Sequence, residues 1–214
     1  MIDIAVVDYG MGNLRSVSKA LEHVAPGKRV VVTSDPADIA AAERVVFPGQ
    51  GAMPDCVREL DARGLRQAVI SAAADKPFLG ICIGLQLLFD HSEEGNAAGL
   101  SILPGNVKRF ADADMVDANG ARLKVPHMGW NEVYQSRPHP IWNDIADGAR
   151  FYYVHSYYVV PEDAGIEVGY SNYPKRFTSC IARDNIFAVQ FHPEKSQHAG
   201  LKLLSNFVAW DGRP

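Results

Sequence analysis

One of the three cysteines is framed by glycines in a way that suits a nucleophile. Gly80-Ile81-Cys82-Ile83-Gly84 has the small-x-nucleophile-x-small spacing of an elbow, in which a strand turns sharply into a helix. Such a turn holds the central side chain in a strained, exposed backbone position, and the flanking glycines leave room for it. A thiol at the start of a helix also feels the positive end of the helix dipole, which favours the thiolate. Cys56 and Cys180 lack that frame and read as small buried hydrophobes. A thiolate of this kind attacks acyl carbon, and the reaction needs a base and hydrogen-bond donors for the developing oxyanion.

His192, in Gln190-Phe191-His192-Pro193-Glu194, directly follows an apolar strand-like run and is the candidate base. Pro193 fixes the intervening φ, so that Glu194 can converge on the imidazole and hold one tautomer. The histidines at 23, 91, 127, 139, 155 and 198 have no such company, and no catalytic role is expected of them. For the oxyanion, the first candidate is the backbone N–H of Ile83; the loop Pro48-Gly49-Gln50-Gly51 offers those of Gln50 and Gly51. That loop reads equally well as an ordinary tight turn after a strand. No two cysteines have zinc-ligand spacing, so neither a metal nor another cofactor is expected.

These residues must be positioned by the elements around them. Residues 3–8 read as a strand, Leu14 to Val24 as an amphipathic helix, and Arg29 to Thr33 and Arg44 to Phe47 as two more strands. Helical patterns run from Met53 to Ala74 with a break near Gly64, before the apolar strand Phe78 to Ile81 delivers Cys82. Strands alternating with helices imply a parallel sheet covered on both faces. Beyond Gly99 the strand-like runs Leu103 to Phe110, Lys124 to Tyr134, Arg150 to Val160, Glu167 to Tyr170 and Ile186 to Phe191 lie too close together for helical crossovers. They predict antiparallel additions in the C-terminal half of a mixed, mostly parallel sheet. A closing helix over Gln197 to Trp210 carries Leu201, Leu204, Phe207 and Val208 on one face.

With 214 residues, 47% of them hydrophobic, the chain is expected to form one domain over residues 1–214. A net charge of -4 gives no broad basic field for nucleic acid or an anionic membrane. Charged residues interrupt every apolar run, so no membrane span is expected. The opening MIDIAVVDYG has no basic region of the secretory kind, and the sparse, unpaired cysteines suit a reducing cytoplasm. YGMGN lacks the third glycine of a dinucleotide fingerprint.

Taken together, PGQG (48–51), GICIGLQ (80–86) and HPEKS (192–196) resemble the triad glutamine amidotransferases in order and separation. The resemblance implies a flavodoxin-like doubly wound α/β fold and hydrolysis of the glutamine side-chain amide through a γ-glutamyl thioester. DYGMGN (8–13), PHMGWN (126–131) and FYYVHSYY (151–158) are similar to the glutaminase subunits of imidazole glycerol phosphate synthases, over essentially the whole chain. By that resemblance, ammonia passes to a separate cyclase subunit, whose (β/α)8 barrel completes a heterodimer in histidine biosynthesis. It also implies that Gly49, Gly51, Gln86, Glu94, Ser156 and Tyr157 surround the glutamine, and that Asn13, Trp130, Asn131, Tyr152 and Lys195 lie toward the cyclase. Gln50 stands where many members of the family have an aliphatic residue. Two alternatives remain at this point: a glutaminase serving another acceptor enzyme, and a flavodoxin-like binding module with an idle triad.

Overall fold

The computed structural model describes residues 1–117 and 119–213. Strand β1 (Ile2–Val7) pairs in parallel with β2 (Val30–Thr33) on one side and β3 (Ala42–Gly49) on the other. Beyond β3 come β4 (Phe78–Cys82) and then β13 (Ile186–Val189), each parallel to the strand before it. The order β2-β1-β3-β4-β13 is the doubly wound, flavodoxin-like arrangement. Its inner strands are apolar because both faces are covered: every residue of β4 and of β13 is buried. Helix α1 (Leu14–Val24) buries Val17, Ala20 and Leu21 and packs beside α6 (Gln197–Ala209), while α2 (Pro36–Ala41) packs beside α4 (Arg66–Asp75). Between α3 (Met53–Ala62) and α4 the chain turns at Gly64, φ 67°, where the helical pattern breaks in the sequence.

The sheet continues through β12 (Arg176–Arg183), β10 (Tyr157–Pro161), β7 (Leu103–Arg109), β5 (Phe89–Ser92) and β6 (Ala97–Ala98). A hairpin of β8 (His127–Gln135) and β9 (Ala149–His155) joins through β11 (Glu167–Asn172). In this region only β5 and β7 run parallel, whereas the pairs β5–β6, β7–β10, β8–β9, β8–β11, β10–β12, β11–β12 and β12–β13 are antiparallel. The sheet is mixed, as the sequence suggests, but its antiparallel part is larger than a mostly parallel sheet would have. Short connections leave no room for the crossovers that parallel pairing needs.

Four elements depart from the sequence reading. The expected strand Arg150 to Val160 is two strands, broken at Ser156. Helix α5 (Ile83–Gln86) is a single turn, after which the chain enters β5 and β6. Strand β12 has the mixed composition RFTSCIAR, which gives no clear alternation. Helix α2 is only six residues long, although Asp35 caps it by accepting from Ala37 N and Pro36 occupies its first turn.

Candidate active site

Three neighbouring strands of the parallel part end at one place. Gly49 of β3 lies opposite Cys82 of β4, and Ile81 lies opposite Val189 of β13, so the loops that follow converge at the carboxyl edge of the sheet. They line a pocket of ≈ 290 Å³ together with β9, β10 and their junction. Gln50, Gly51, Cys82, Ile83, Gln86, Glu94, Ser156, Tyr157 and His192 all border it, along with Pro126, Val154 and His155.

Cys82 has φ 56° and ψ −110°, a conformation that is strained for a residue with a side chain. The glycines explain how the turn is built. A Cβ on Gly84 would stand 1.8 Å from the Phe47 carbonyl oxygen, and one on Gly80 would stand 2.9 Å from the Gly84 carbonyl oxygen. Only glycine lets the elbow press this closely against β3. Cys82 is 4% exposed and lies at the floor of the pocket, not in the exposed position that the elbow pattern suggested. With α5 reduced to one turn, the dipole argument for thiolate formation loses most of its force.

At the end of β13, side-chain hydrogen bonds do the positioning. His192 Nδ1 and Glu194 Oε1 are 2.9 Å apart, and both side chains are almost fully buried. Burial alone pulls the His192 imidazole down, but Cys82 on one side and Glu194 on the other outweigh it and raise its pKa to about 10. The raised value suits His192 to take and hold a proton. His192 is held by Ser196, whose Oγ donates to the His192 carbonyl at 2.6 Å and accepts from Tyr152 N at 2.9 Å. Sequence reasoning misses Gln190, because nothing marks a glutamine within an apolar strand end as functional. Its Nε2 donates toward Cys82 Sγ at 3.8 Å, and its Oε1 accepts from Gln86 Nε2 at 3.0 Å.

Gln86 Nε2 also donates to the Tyr157 carbonyl at 3.2 Å. Its Oε1 is buried without a hydrogen-bond partner, an acceptor left over on a residue that borders the pocket. Glu94 accepts from Met53 N at 2.8 Å, and burial raises its carboxyl above the ordinary range. Gly49 does not border the pocket with the other expected residues. It is packed beneath, where an added Cβ would come within 2.6 Å of the Tyr9 hydroxyl and 2.7 Å of Ile83 Cβ. Gly51, φ 103°, and Gln50 are exposed at the rim, and Cys56 Sγ lies 3.5 Å from the Gln50 carbonyl oxygen, as donor to it.

The residues expected toward a partner differ in how free they are. Trp130 and Tyr152 are paired across β8 and β9 with rings edge-to-face at 6.0 Å, and Trp130 is 38% exposed beside the more exposed Met128. Asn13 precedes α1, and Lys195 is half-buried next to Glu194. Asn131 is not free: its Nδ2 donates to the Asn172 carbonyl at 2.9 Å and toward His127 Nε2 at 3.4 Å. His127 and His155, which lack the company that marks His192 in the sequence, are buried and bonded to each other at 2.9 Å.

The profile of the glutamine amidotransferase class-I family matches residues 5–210, and the chain belongs to that family. Within it, the chain is 71% identical over 210 residues to imidazole glycerol phosphate synthase subunit HisH of Aromatoleum aromaticum, covering 98% of this chain and 99% of that one. The HisH subunit of Dechloromonas aromatica is 69% identical, covering 97% and 96% of the two chains. These identities place the chain among the HisH subunits. Among solved structures, PurLQS from Thermotoga maritima matches with a TM-score of 0.66 at 19% identity, covering 98% of each chain. A glutamine amidotransferase from the same organism matches with a TM-score of 0.61 at 16% identity, covering 90% of this chain and 76% of that one. At those identities the likeness concerns the fold. No helix among the described residues is long and apolar enough to cross a membrane.

Proposed function

We propose that the chain is the glutaminase subunit of a cytoplasmic imidazole glycerol phosphate synthase, releasing ammonia from glutamine through a Cys82 thioester. The observation that carries this reading is the Cys82 elbow beside a buried His192–Glu194 pair, in a pocket that also holds the unpaired Gln86 oxygen.

The cycle opens as His192, whose pKa is raised, takes the proton of the Cys82 thiol. Cys82 Sγ attacks the carboxamide carbon, and the oxygen that becomes negative takes hydrogen bonds from the N–H of Ile83 and from the Gln50 or Gly51 peptide. The Ile83 N–H opens α5, where the first amides have no acceptor within the helix. As the tetrahedral adduct collapses, the C–N bond breaks, and the imidazolium proton goes to the departing nitrogen to give ammonia. His192, now neutral, takes a proton from water as the water attacks the thioester. Glutamate leaves, and the thiolate–imidazolium pair is restored. Glu194 keeps the ring aligned throughout. Gly51, Gln86, Glu94, Ser156 and Tyr157 form the glutamine pocket, with Gly49 shaping the loop from below.

The partner in this reading is a cyclase subunit that consumes the ammonia, docked on the side of Asn13, Trp130, Asn131, Tyr152 and Lys195. Replacing Cys82 by alanine in the two-subunit complex abolishes glutamine-dependent synthesis and leaves synthesis from added ammonium salts intact. Retained glutamine hydrolysis in that variant sinks the assignment of the nucleophile. A complex in which neither nitrogen source supports imidazole glycerol phosphate formation sinks the choice of partner.

A further inference from the structure

A chain of hydrogen bonds runs from β8 to the reactive thiol, and one atom determines the direction of every bond in it. Asn131 Nδ2 approaches His127 Nε2 at 3.4 Å, and His127 Nδ1 lies 2.9 Å from His155 Nε2. His155 Nδ1 lies 2.8 Å from the Tyr157 carbonyl oxygen. From the other side, Gln86 Nε2 donates to that same carbonyl and to Gln190 Oε1, while Gln190 Nε2 points to Cys82 Sγ.

A carbonyl oxygen only accepts, and it has two lone pairs. His155 must therefore carry its proton on Nδ1, leaving Nε2 as the acceptor for His127. His127 in turn carries its proton on Nδ1 and accepts from Asn131 on Nε2. The second lone pair of Tyr157 takes the Gln86 amide nitrogen, so the Gln86 oxygen is the atom left bare. Both rings are enclosed by aromatic side chains. His127 stacks on Tyr173 at 3.9 Å and Tyr153 at 4.9 Å, and Phe110 and Phe177 flank His155 at 5.2 Å each. Burial pulls His127 down to about 4, and burial foremost pulls His155 down to about 3, so each ring keeps the free nitrogen that the chain requires.

We propose that His127 and His155 are positioning residues for glutamine binding, which fix Gln86 through the Tyr157 carbonyl so that its amide oxygen accepts from an N–H of the substrate. This rests on the reading of the pocket as a glutaminase site. Neither histidine touches the reacting atoms. They act by holding the Tyr157 carbonyl in place; that carbonyl allows Gln86 one amide orientation, because a flipped Gln86 would set its oxygen against it and against Gln190 Oε1.

The test uses the full chain in its active two-subunit complex, with three readouts. Ring-nitrogen NMR of the 15N-histidine-labelled chain shows His127 and His155 as neutral Nδ1–H tautomers. His155→Phe keeps an aromatic ring in the cage but removes both hydrogen bonds; it raises KM for glutamine about tenfold, the equivalent of about one well-made hydrogen bond, with kcat within about threefold. Alkylation of Cys82 by iodoacetamide, which needs no glutamine site, stays within about threefold of its wild-type rate. His155→Asn returns a donor near the Nδ1 position and brings KM back to within about threefold of wild type. An Nε2–H tautomer at His155, or an unchanged KM in a folded His155→Phe, overturns the proposal. A wild-type complex that does not hydrolyse glutamine at all overturns the functional reading beneath it and leaves the tautomer measurement unaffected, which separates the two failures.

Discussion

The two strand ends that meet at the pocket are built by opposite means. At the end of β4, the backbone itself is forced: Cys82 has positive φ, Gly84 is pressed against β3, and Gly80 is pressed against Gly84 and Ala188 of β13. At the end of β13, four buried hydrogen-bonding residues, Gln190, His192, Glu194 and Ser196, hold one another and their neighbours in place. The first end stores strain that the surrounding fold must support. The second stores orientation, which depends on each donor finding its acceptor. Substitutions should therefore separate into those that damage the fold first and those that damage the chemistry first.

The largest expected effect lies at the β13 end and falls first on activity. His192→Ala removes the group proposed as base and proton carrier, so glutamine turnover by the complex falls by roughly 10⁴-fold; it also leaves the buried Glu194 carboxyl without its partner, so the melting temperature falls as well. Residual turnover within tenfold of wild type would mean that another group supplies the proton. At the β4 end the order reverses. Gly84→Ala drives a methyl into the Phe47 carbonyl oxygen, a backbone atom that cannot rotate away. That overpacking costs about 3 kcal/mol or more, measured as a lower denaturation midpoint, before any loss of activity is considered. A Gly84→Ala chain with wild-type stability would show that the elbow is not under the pressure described.

Which end could be read from the sequence follows from the same difference. Glycines that relieve contact within five residues leave a local signature, and Gly80-Ile81-Cys82-Ile83-Gly84 announces the elbow and its strain. His192 and Glu194 are two residues apart, so their pairing is legible too. Gln190 is not, because its partners Cys82 and Gln86 are 108 and 104 residues away. His127 and His155 gain their meaning only when β8 and β9 pair in the register that sets them opposite each other. The parallel strands β1, β3, β4 and β13 are legible as continuous apolar runs. Strand β12 is not, since its polar residues are satisfied inside the sheet: Thr178 bonds Glu167, and Ser179 bonds Tyr153 and Ser171.

Acid and base should attack the two kinds of support differently. Burial lowers His127 to about 4 and, foremost among its causes, His155 to about 3; burial and then the charge of Arg137 lower His139 to about 4. In the unfolded chain these rings take up protons near pH 6.5, so the stability they allow is present above that pH and is lost as the pH falls through 6.5 toward 3. Each contributes up to about 1.4 kcal/mol of loss for the first full pH unit below 6.5. His192 has the opposite sign: its raised pKa gives stability that is complete below pH 6.5 and lost as pH rises through about 10. Denaturation midpoints measured from pH 4 to 10 should therefore fall on both flanks. His192→Ala should flatten the alkaline flank alone, and a flank unchanged by that substitution would contradict the His192 assignment.

The smallest effect sharpens the contrast most, because it removes a support of His192 without touching the triad. Ser196 is 1% exposed, and its hydroxyl bridges the Tyr152 N–H and the His192 carbonyl. In Ser196→Ala the His192 carbonyl still accepts from Lys195 N at 3.0 Å, but the Tyr152 N–H loses its acceptor. An orphaned amide of this kind costs about 1 kcal/mol, which a denaturant titration resolves. The imidazole keeps Glu194, so turnover should drop by less than about tenfold. A larger loss of turnover at the same small stability cost would show that the His192 ring is held through its backbone more than through Glu194, and would move the orienting role from the carboxylate to the turn that follows β13.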